Sequence, residues 1–235
     1  MDNERVTEIK NNIDNINNKL NDAAIKCGRS FKEIKLMAVS KTKPVEDIKA
    51  AYDAGQRLFG ENRIVEASEK FKQLPDDANM HMIGNLQSNK AKLAAESASC
   101  VQSIHKLKTA KEINKRAKSL GKKIDFLIEI NTSGEESKEG YSSFDDLMRE
   151  LEDYFELDSV NFRGLMTVGP LTDDTKAIHK SFADLYNYYQ KLKTEYKDNE
   201  IDILSMGMSS DYEIAIEEGS TMIRVGTAIF GSRNY

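Results

Sequence analysis

Eight short apolar runs, each followed by an amphipathic segment, constrain this chain more than any other feature. The runs are residues 36–40, 57–59, 80–83, 100–104, 124–130, 161–167, 201–205 and 222–225. Helical patterns follow the first seven, starting near Pro44, Asn62, Ser88, Lys106, Ser142, Thr172 and Ser210, and a shorter one begins at Thr227. Strand and helix in strict alternation imply a parallel sheet. About eight such units in 235 residues match the length of a (β/α)8 TIM barrel. A doubly wound open sheet is the competing arrangement, but no Gly-rich dinucleotide fingerprint follows the first run.

Ahead of the repeat, residues 3–27 place Val6, Ile9, Ile13, Ile16 and Leu20 three and four apart. That spacing predicts an amphipathic helix, closed by Gly28 at a C′-like position. No long Pro- or Gly-rich linker interrupts the chain, and there are only three prolines. The expectation is one domain over 1–235, with residues 1–28 as a helix packed on the barrel.

Hydrophobic residues make up 39% and charged residues 31%, so the chain can bury a core and stay soluble. A formal charge of −5 argues against a general nucleic-acid binder. The lysines between Lys106 and Lys123 follow helical spacing and read as a solvated helix face. Cys27 and Cys100 offer no disulfide framework, and Cys100 reads as a small core residue. His81, His105 and His179 lack the spacing of a metal motif. The N-terminus has no apolar signal segment and no run is long enough to span a bilayer, so a cytoplasmic setting is expected.

The first run ends abruptly in Ser40-Lys41-Thr42-Lys43-Pro44. Lys41 therefore falls at the C-terminal end of a core strand, where parallel α/β folds place their chemistry. Pro44 suits the first turn of a helix. A lysine at a strand end can lose its proton by desolvation and act as an amine nucleophile toward an aldehyde. A surface lysine in a βα loop is the plainer alternative, and Lys43 is the nearest competitor.

Other strand ends add to it. Phe59-Gly60-Glu61-Asn62 puts Glu61 and Asn62 at the same mouth; Asn62 is either a ligand donor or the N-cap of the next helix. His81 and Ile83 alternate to one side of the third strand, and His81 reads best as a hydrogen-bonded core histidine. After the seventh strand, Ser205-Met206-Gly207-Met208-Ser209-Ser210-Asp211 brings two hydroxyls to a helix start, where an anion is favoured. After the eighth, Gly226 allows close backbone approach and Thr227 adds a hydroxyl. The loops after strands seven and eight are where barrels often hold phosphate. Arg224, inside an apolar run, needs a partner: a salt bridge to Glu61 or Glu129, or a ligand heteroatom. An amine, a phosphate cup and an arginine between them suit one planar ligand with an aldehyde and a ring nitrogen, pyridoxal 5′-phosphate (PLP).

The stretches L-M-A-V-S-K-T-K-P, F-G-E-N, H-M-I-G-N-L-Q-S-N-K, S-M-G-M-S-S-D and R-V-G-T-A-I-F-G resemble the pyridoxal phosphate homeostasis protein family. These are single-domain relatives of the alanine racemase N-terminal barrel, and the resemblance runs from the N-terminal helix to Arg233. It implies PLP held on Lys41 as a covalent Schiff base (aldimine). It also implies phosphate contacts from Ser209, Ser210, Gly226 and Thr227, Arg224 facing the pyridine nitrogen, and Asn62, His81 and Ile83 along the ring. Ser205 and Met206 complete the cofactor-binding set. The similar loop at 132–140 is expected to be mobile and charged.

An arginine opposite the ring nitrogen only donates, so it favours the unprotonated nitrogen and weakens the electron sink. Racemases of this type take a second acid/base, a tyrosine, from another domain and subunit. The sequence ends at Tyr235, soon after the eighth strand, and no such domain is expected here. The resemblance therefore implies a monomeric PLP carrier in vitamin B6 homeostasis, without catalysis, whose partners are PLP and apo PLP-dependent enzymes. A weak amino-acid racemase and a phosphosugar barrel enzyme are the alternatives. No nucleic acid, membrane or metal is expected.

Overall fold

Apolar runs become parallel strands here because both of their faces find cover, from helices outside and from the other strands' side chains inside. The computed structural model describes residues 3–232; Arg233 and Tyr235 lie outside the described residues. The strands are β1 (Lys35–Val39), β2 (Leu58–Glu61), β3 (Asn79–Met82), β4 (Cys100–Ile104), β5 (Ile124–Glu129), β6 (Val160–Met166), β7 (Ile203–Ser205) and β8 (Met222–Val225). They pair in chain order, and β1 closes onto β8 from Lys35↔Met222 to Ala38↔Val225 in parallel register. This is the TIM barrel, not the open sheet. The helices are α1 (Asn3–Lys26), α2 (Val45–Asp53), α3 (Ile64–Phe71), α4 (Ala91–Ser97), α5 (Leu107–Ser119), α6 (Phe144–Phe155), α7 (Thr175–Glu195), α8 (Tyr212–Glu217) and α9 (Thr227–Phe230).

The predicted strands differ from these by one or two residues at most ends, and β4 and β8 coincide. Arg57 stands just outside β2, with its carbonyl accepting from Asn79 N–H at 2.7 Å and its guanidinium 2.9 Å from Asp77. Pro44 is the N-cap of α2 rather than a first-turn residue: its ψ of 159° is extended, and the helix begins at Val45.

Met37, Cys100, Leu127, Met166, Ile203 and Met222 fill the barrel interior. Burial pushes the Cys100 thiol well up from its usual range, as suits a core residue. Outside the strands, Val101, Phe126, Ile128 and Leu204 meet Ile113, Leu147, Leu151 and Phe182 from the helices. Helix α1 buries Ile9, Ile13, Ile16 and Leu20 against Ile48, Ile216, Ile229 and Phe230. Each such side chain contributes roughly 1.5–3 kcal/mol when fully buried. The helix also fastens α9: Arg5 and Asn12 donate to Phe230 O and Ile229 O at 2.8 and 2.9 Å. Gly28 follows α1 at φ +68°, the expected C-terminal stop.

The lysine-rich stretch is α5, which turns Ala110, Ile113 and Ala117 inward. Its Lys111 and Lys118 reach Asp153 and Asp158 on the surface. Among the described residues no helix is long and apolar enough to cross a membrane.

Candidate binding site at the barrel mouth

Lys41 lies in the turn that leaves β1, half-buried. The turn is closed by Lys43 N–H donating to Ser40 O at 3.0 Å, and Thr42 adopts φ +65°. A β-branched residue there is strained by about 1–2 kcal/mol, so the surroundings must hold the turn. Ser40 is the anchor. Its N–H donates to Gly60 O at 3.0 Å, its hydroxyl donates to Glu61 Oε1 at 2.8 Å, and its carbonyl also accepts from Lys70 Nζ at 3.4 Å.

Glu61 does this from behind the barrel wall rather than from the mouth. It is fully buried beside Lys70 of α3, at 3.2 Å, and its Oε2 has no hydrogen-bond partner. Burial raises its pKa, and Lys70 and Ser40 restrain that rise. Asn62 is not the N-cap of α3; Arg63 takes that position. The half-buried Asn62 instead meets the β3 loop, where a Cβ on Gly84 would lie 2.5 Å from Asn62 O.

Lys43 points away from Lys41 toward the C-terminal segment. Its ammonium donates to Phe230 O and Ser232 O at 2.9 and 2.8 Å, tying the β1 turn to the end of α9. Burial lowers its pKa. Lys43→Met should lose about 1 kcal/mol of stability in urea unfolding and leave the reactivity of Lys41 unchanged.

Across the mouth, the turns after β7 and β8 carry Ser209, Ser210 and Thr227. No hydrogen bond joins the backbone N–H groups of Ser209, Ser210, Thr227 or Ala228 to another described residue, and Ser210, Thr227 and Ala228 are exposed. A cleft of about 730 Å³ opens between the turn after β7, at Met208, Ser210 and Asp211, and the segment after β6, at Val168, Pro170 and Thr172, with Lys138 on its wall. Gly226 is small for a packing reason too, since a Cβ would stand 3.1 Å from Val39 O. Met206 offers no side chain to the mouth: it is fully buried in the layer between strands and helices.

Arg224 is 4% exposed on the inner face of β8. Its NH1 donates to Ser205 Oγ and its NH2 to Thr167 O, both at 2.7 Å. Neither Glu61 nor Glu129 forms the salt bridge considered for it. Glu129, inward on β5, and Asp211 act on it only through their charge, and burial brings its pKa down to about 10. Burial likewise pushes Glu129 up to about 7, against the pull of Arg224. Asp211 accepts from Met208 N–H at 2.5 Å, and burial raises its pKa as well.

Ile83 is partly buried at the upper end of the inner core. His81 lies deep in the barrel and reads as the core histidine the sequence suggests. Its Nδ1 is 2.8 Å from Gln102 Nε2, and burial with the charge of Lys35 pushes its pKa to about 3. Gln102 Oε1 accepts from Ser205 Oγ at 2.7 Å. Gln102 was not legible as a site residue; its one signal is a polar side chain at an inward position of an apolar strand. The loop at 132–140 is held rather than loose. Glu139 meets Asn85 at 3.0 Å and His105 at 3.2 Å, and Lys138 donates to Gly169 O at 2.5 Å.

The family described as "Alanine racemase, N-terminal domain" matches residues 7–234. The pyridoxal phosphate homeostasis protein of Pasteurella multocida (strain Pm70) is 41% identical over 232 residues, spanning 97% of this chain and 98% of that one. The solved structure of PipY of Synechococcus elongatus PCC7942 with PLP bound is 37% identical, with a TM-score of 0.78 over 85% of this chain and 93% of that one. The alanine racemase of Clostridium difficile 630 shares the fold at 18% identity, with a TM-score of 0.78 over 97% of this chain and 58% of that one. With its eight-stranded barrel and near full-length identity to such relatives, the chain belongs to the pyridoxal phosphate homeostasis protein family, built on the alanine racemase N-terminal barrel.

Proposed function

We propose that this protein binds PLP as a Schiff base on Lys41 and serves as a cofactor carrier, not as a complete enzyme. The observation that carries the reading is Arg224, a buried cation whose hydrogen bonds among the described residues go to neutral oxygens, Ser205 Oγ and Thr167 O, on the strand next to the one that leads to Lys41. The residues fit the group. Ser209, Ser210, Gly226 and Thr227 would hold the phosphate through hydroxyls and N–H donors, and Lys41 supplies the amine for the aldehyde. PLP, when bound, supplies an electrophilic aldehyde and a conjugated ring. The guanidinium of Arg224 can only donate, so a ring nitrogen held against it would stay unprotonated and the ring would be a weak electron sink. PipY, whose structure contains PLP, supports the ligand. Release to apo PLP-dependent enzymes in vitamin B6 homeostasis completes the reading.

Borohydride reduction of the PLP-loaded protein, followed by peptide mapping, is the test. A single pyridoxyl adduct on Lys41 is expected, and its absence removes the reading. A weak amino-acid racemase is the second reading. It is favoured by Glu129, an inward carboxyl titrating at about 7, in the range of an acid/base group. Solvent deuterium appearing at the α-carbon of amino acids would select it.

A further inference from the structure

Arg224, Ser205, Gln102 and His81 form one hydrogen-bond chain inside the barrel, and its direction is fixed from one end. Arg224 has no acceptor atoms, so its NH1 must donate to Ser205 Oγ. That leaves the Ser205 hydroxyl to donate onward to Gln102 Oε1. The Gln102 amide is thereby oriented, and its Nε2 donates to His81 Nδ1. With Gln102 flipped, the Ser205 hydroxyl would face an amide N–H and have nothing in the chain to donate to. His81 is therefore required to be neutral, with its proton on Nε2. Gln102 Nε2 has a second, weak acceptor in Met222 Sδ at 3.1 Å.

Four strands contribute, β3, β4, β7 and β8, and the chain crosses the interior of the barrel. The other charged groups do not break its polarity. Lys35 acts on the His81 side and disfavours a charged imidazole, while Glu129 and Asp211 act on Arg224.

We propose that Gln102 and His81 are positioning residues for Arg224: a one-way hydrogen-bond chain ending on an unprotonated His81 Nδ1 fixes the guanidinium plane for a flat heteroaromatic ligand. A buried guanidinium with two fixed acceptors, one of them itself immobilised by the next link, has little freedom to turn. This rests on the PLP reading above, but its first test needs no ligand.

In ligand-free protein carrying ¹⁵N-histidine, the His81 signals should show an unprotonated Nδ1 and a protonated Nε2 throughout neutral pH. A protonated Nδ1 overturns the proposal. In the loaded protein, His81→Leu leaves the Gln102 N–H without its acceptor, while His81→Asn can present an oxygen at the place of Nδ1. His81→Leu should weaken PLP binding about tenfold and shift the visible band of the bound ligand, and His81→Asn should recover most of both. Wild-type affinity and band in folded His81→Leu, or no recovery in His81→Asn, overturns it. If His81→Leu does not fold, Gln102→Met decides: it can neither accept from Ser205 nor donate to His81, so it should weaken PLP binding and shift the visible band as His81→Leu does, and wild-type affinity and band overturn the proposal. Failure of the borohydride test would remove the PLP reading and leave the tautomer result standing.

Discussion

Lys41→Ala is expected to abolish the borohydride-stable pyridoxyl adduct while leaving the barrel folded and able to hold PLP reversibly. The turn that carries Lys41 is built by its neighbours. Ser40 is bonded through its N–H, its carbonyl and its hydroxyl to Gly60, Lys43 and Glu61. The donors after β7 and β8 and the guanidinium of Arg224 also remain, so the phosphate and ring contacts persist. Other lysines near the mouth are engaged elsewhere. Lys43 holds two carbonyls of the C-terminal segment, Lys138 holds Glu135 and Gly169 O, and Lys70 is paired with Glu61 and Glu66. Affinity should fall about 100-fold, or ~2.7 kcal/mol. Mass spectrometry after reduction reads the first effect, and equilibrium dialysis reads the second. A full-strength adduct in Lys41→Ala would move the amine to another residue and defeat the assignment.

The same turn marks the boundary of what the residue pattern reveals. Strand ends are legible because an apolar run stops at Ser40-Lys41 or at Gly226-Thr227, and in a parallel barrel every such stop lies on one face. Which way a side chain points near those ends is harder to read. Glu61 and Gly60 are adjacent, and the alternation of β2 sends the carboxylate to α3 and leaves the inner wall to the glycine. In β6 the alternation itself fails. Gly164 sits at φ +143°, and a Cβ there would lie 1.9 Å from Ile203 O. The pairing of β5 with β6 shifts register between Phe126 and Leu127, so no period-two pattern assigns the residues that follow.

Partners are harder still, because they come from strands distant in sequence. Arg224 shows in the sequence as a charge that must be compensated, and carboxylates are the obvious choice. Its acceptors are instead Ser205 Oγ and a backbone carbonyl, Thr167 O, and no residue pattern identifies a carbonyl. The loop at 132–140 misleads for a related reason. Its charges look solvated, yet Asn131 folds it locally by accepting from Ser133 N–H and donating to Glu135 O. Glu139 then ties it to Asn85, on the loop after β3.

Glu129→Gln should leave stability unchanged below about pH 4.5 and raise it by about 3 kcal/mol at pH 8. Burial holds the folded-state pKa of Glu129 at about 7, above its ordinary 4.5. Between those values the native state binds more protons than the unfolded state, so stability falls as pH rises through the window. At lower pH both states are protonated and the difference vanishes; above about 7 the full cost of the buried carboxylate is present. Glutamine has the shape of the protonated acid and never pays that cost. Arg224 does not reverse the sign, because it is charged across this range, with its pKa at about 10, and its attraction is already included in the value for Glu129. For a chain of this length ~3 kcal/mol corresponds to roughly 6–12 °C in thermal midpoint at pH 8. Parallel unfolding curves for the two proteins across the window would show that the carboxyl is not held neutral by burial. A clear gain at pH 8 would mean that the barrel keeps an inward acid against its own stability, as expected of a group retained for the ligand site rather than for the fold.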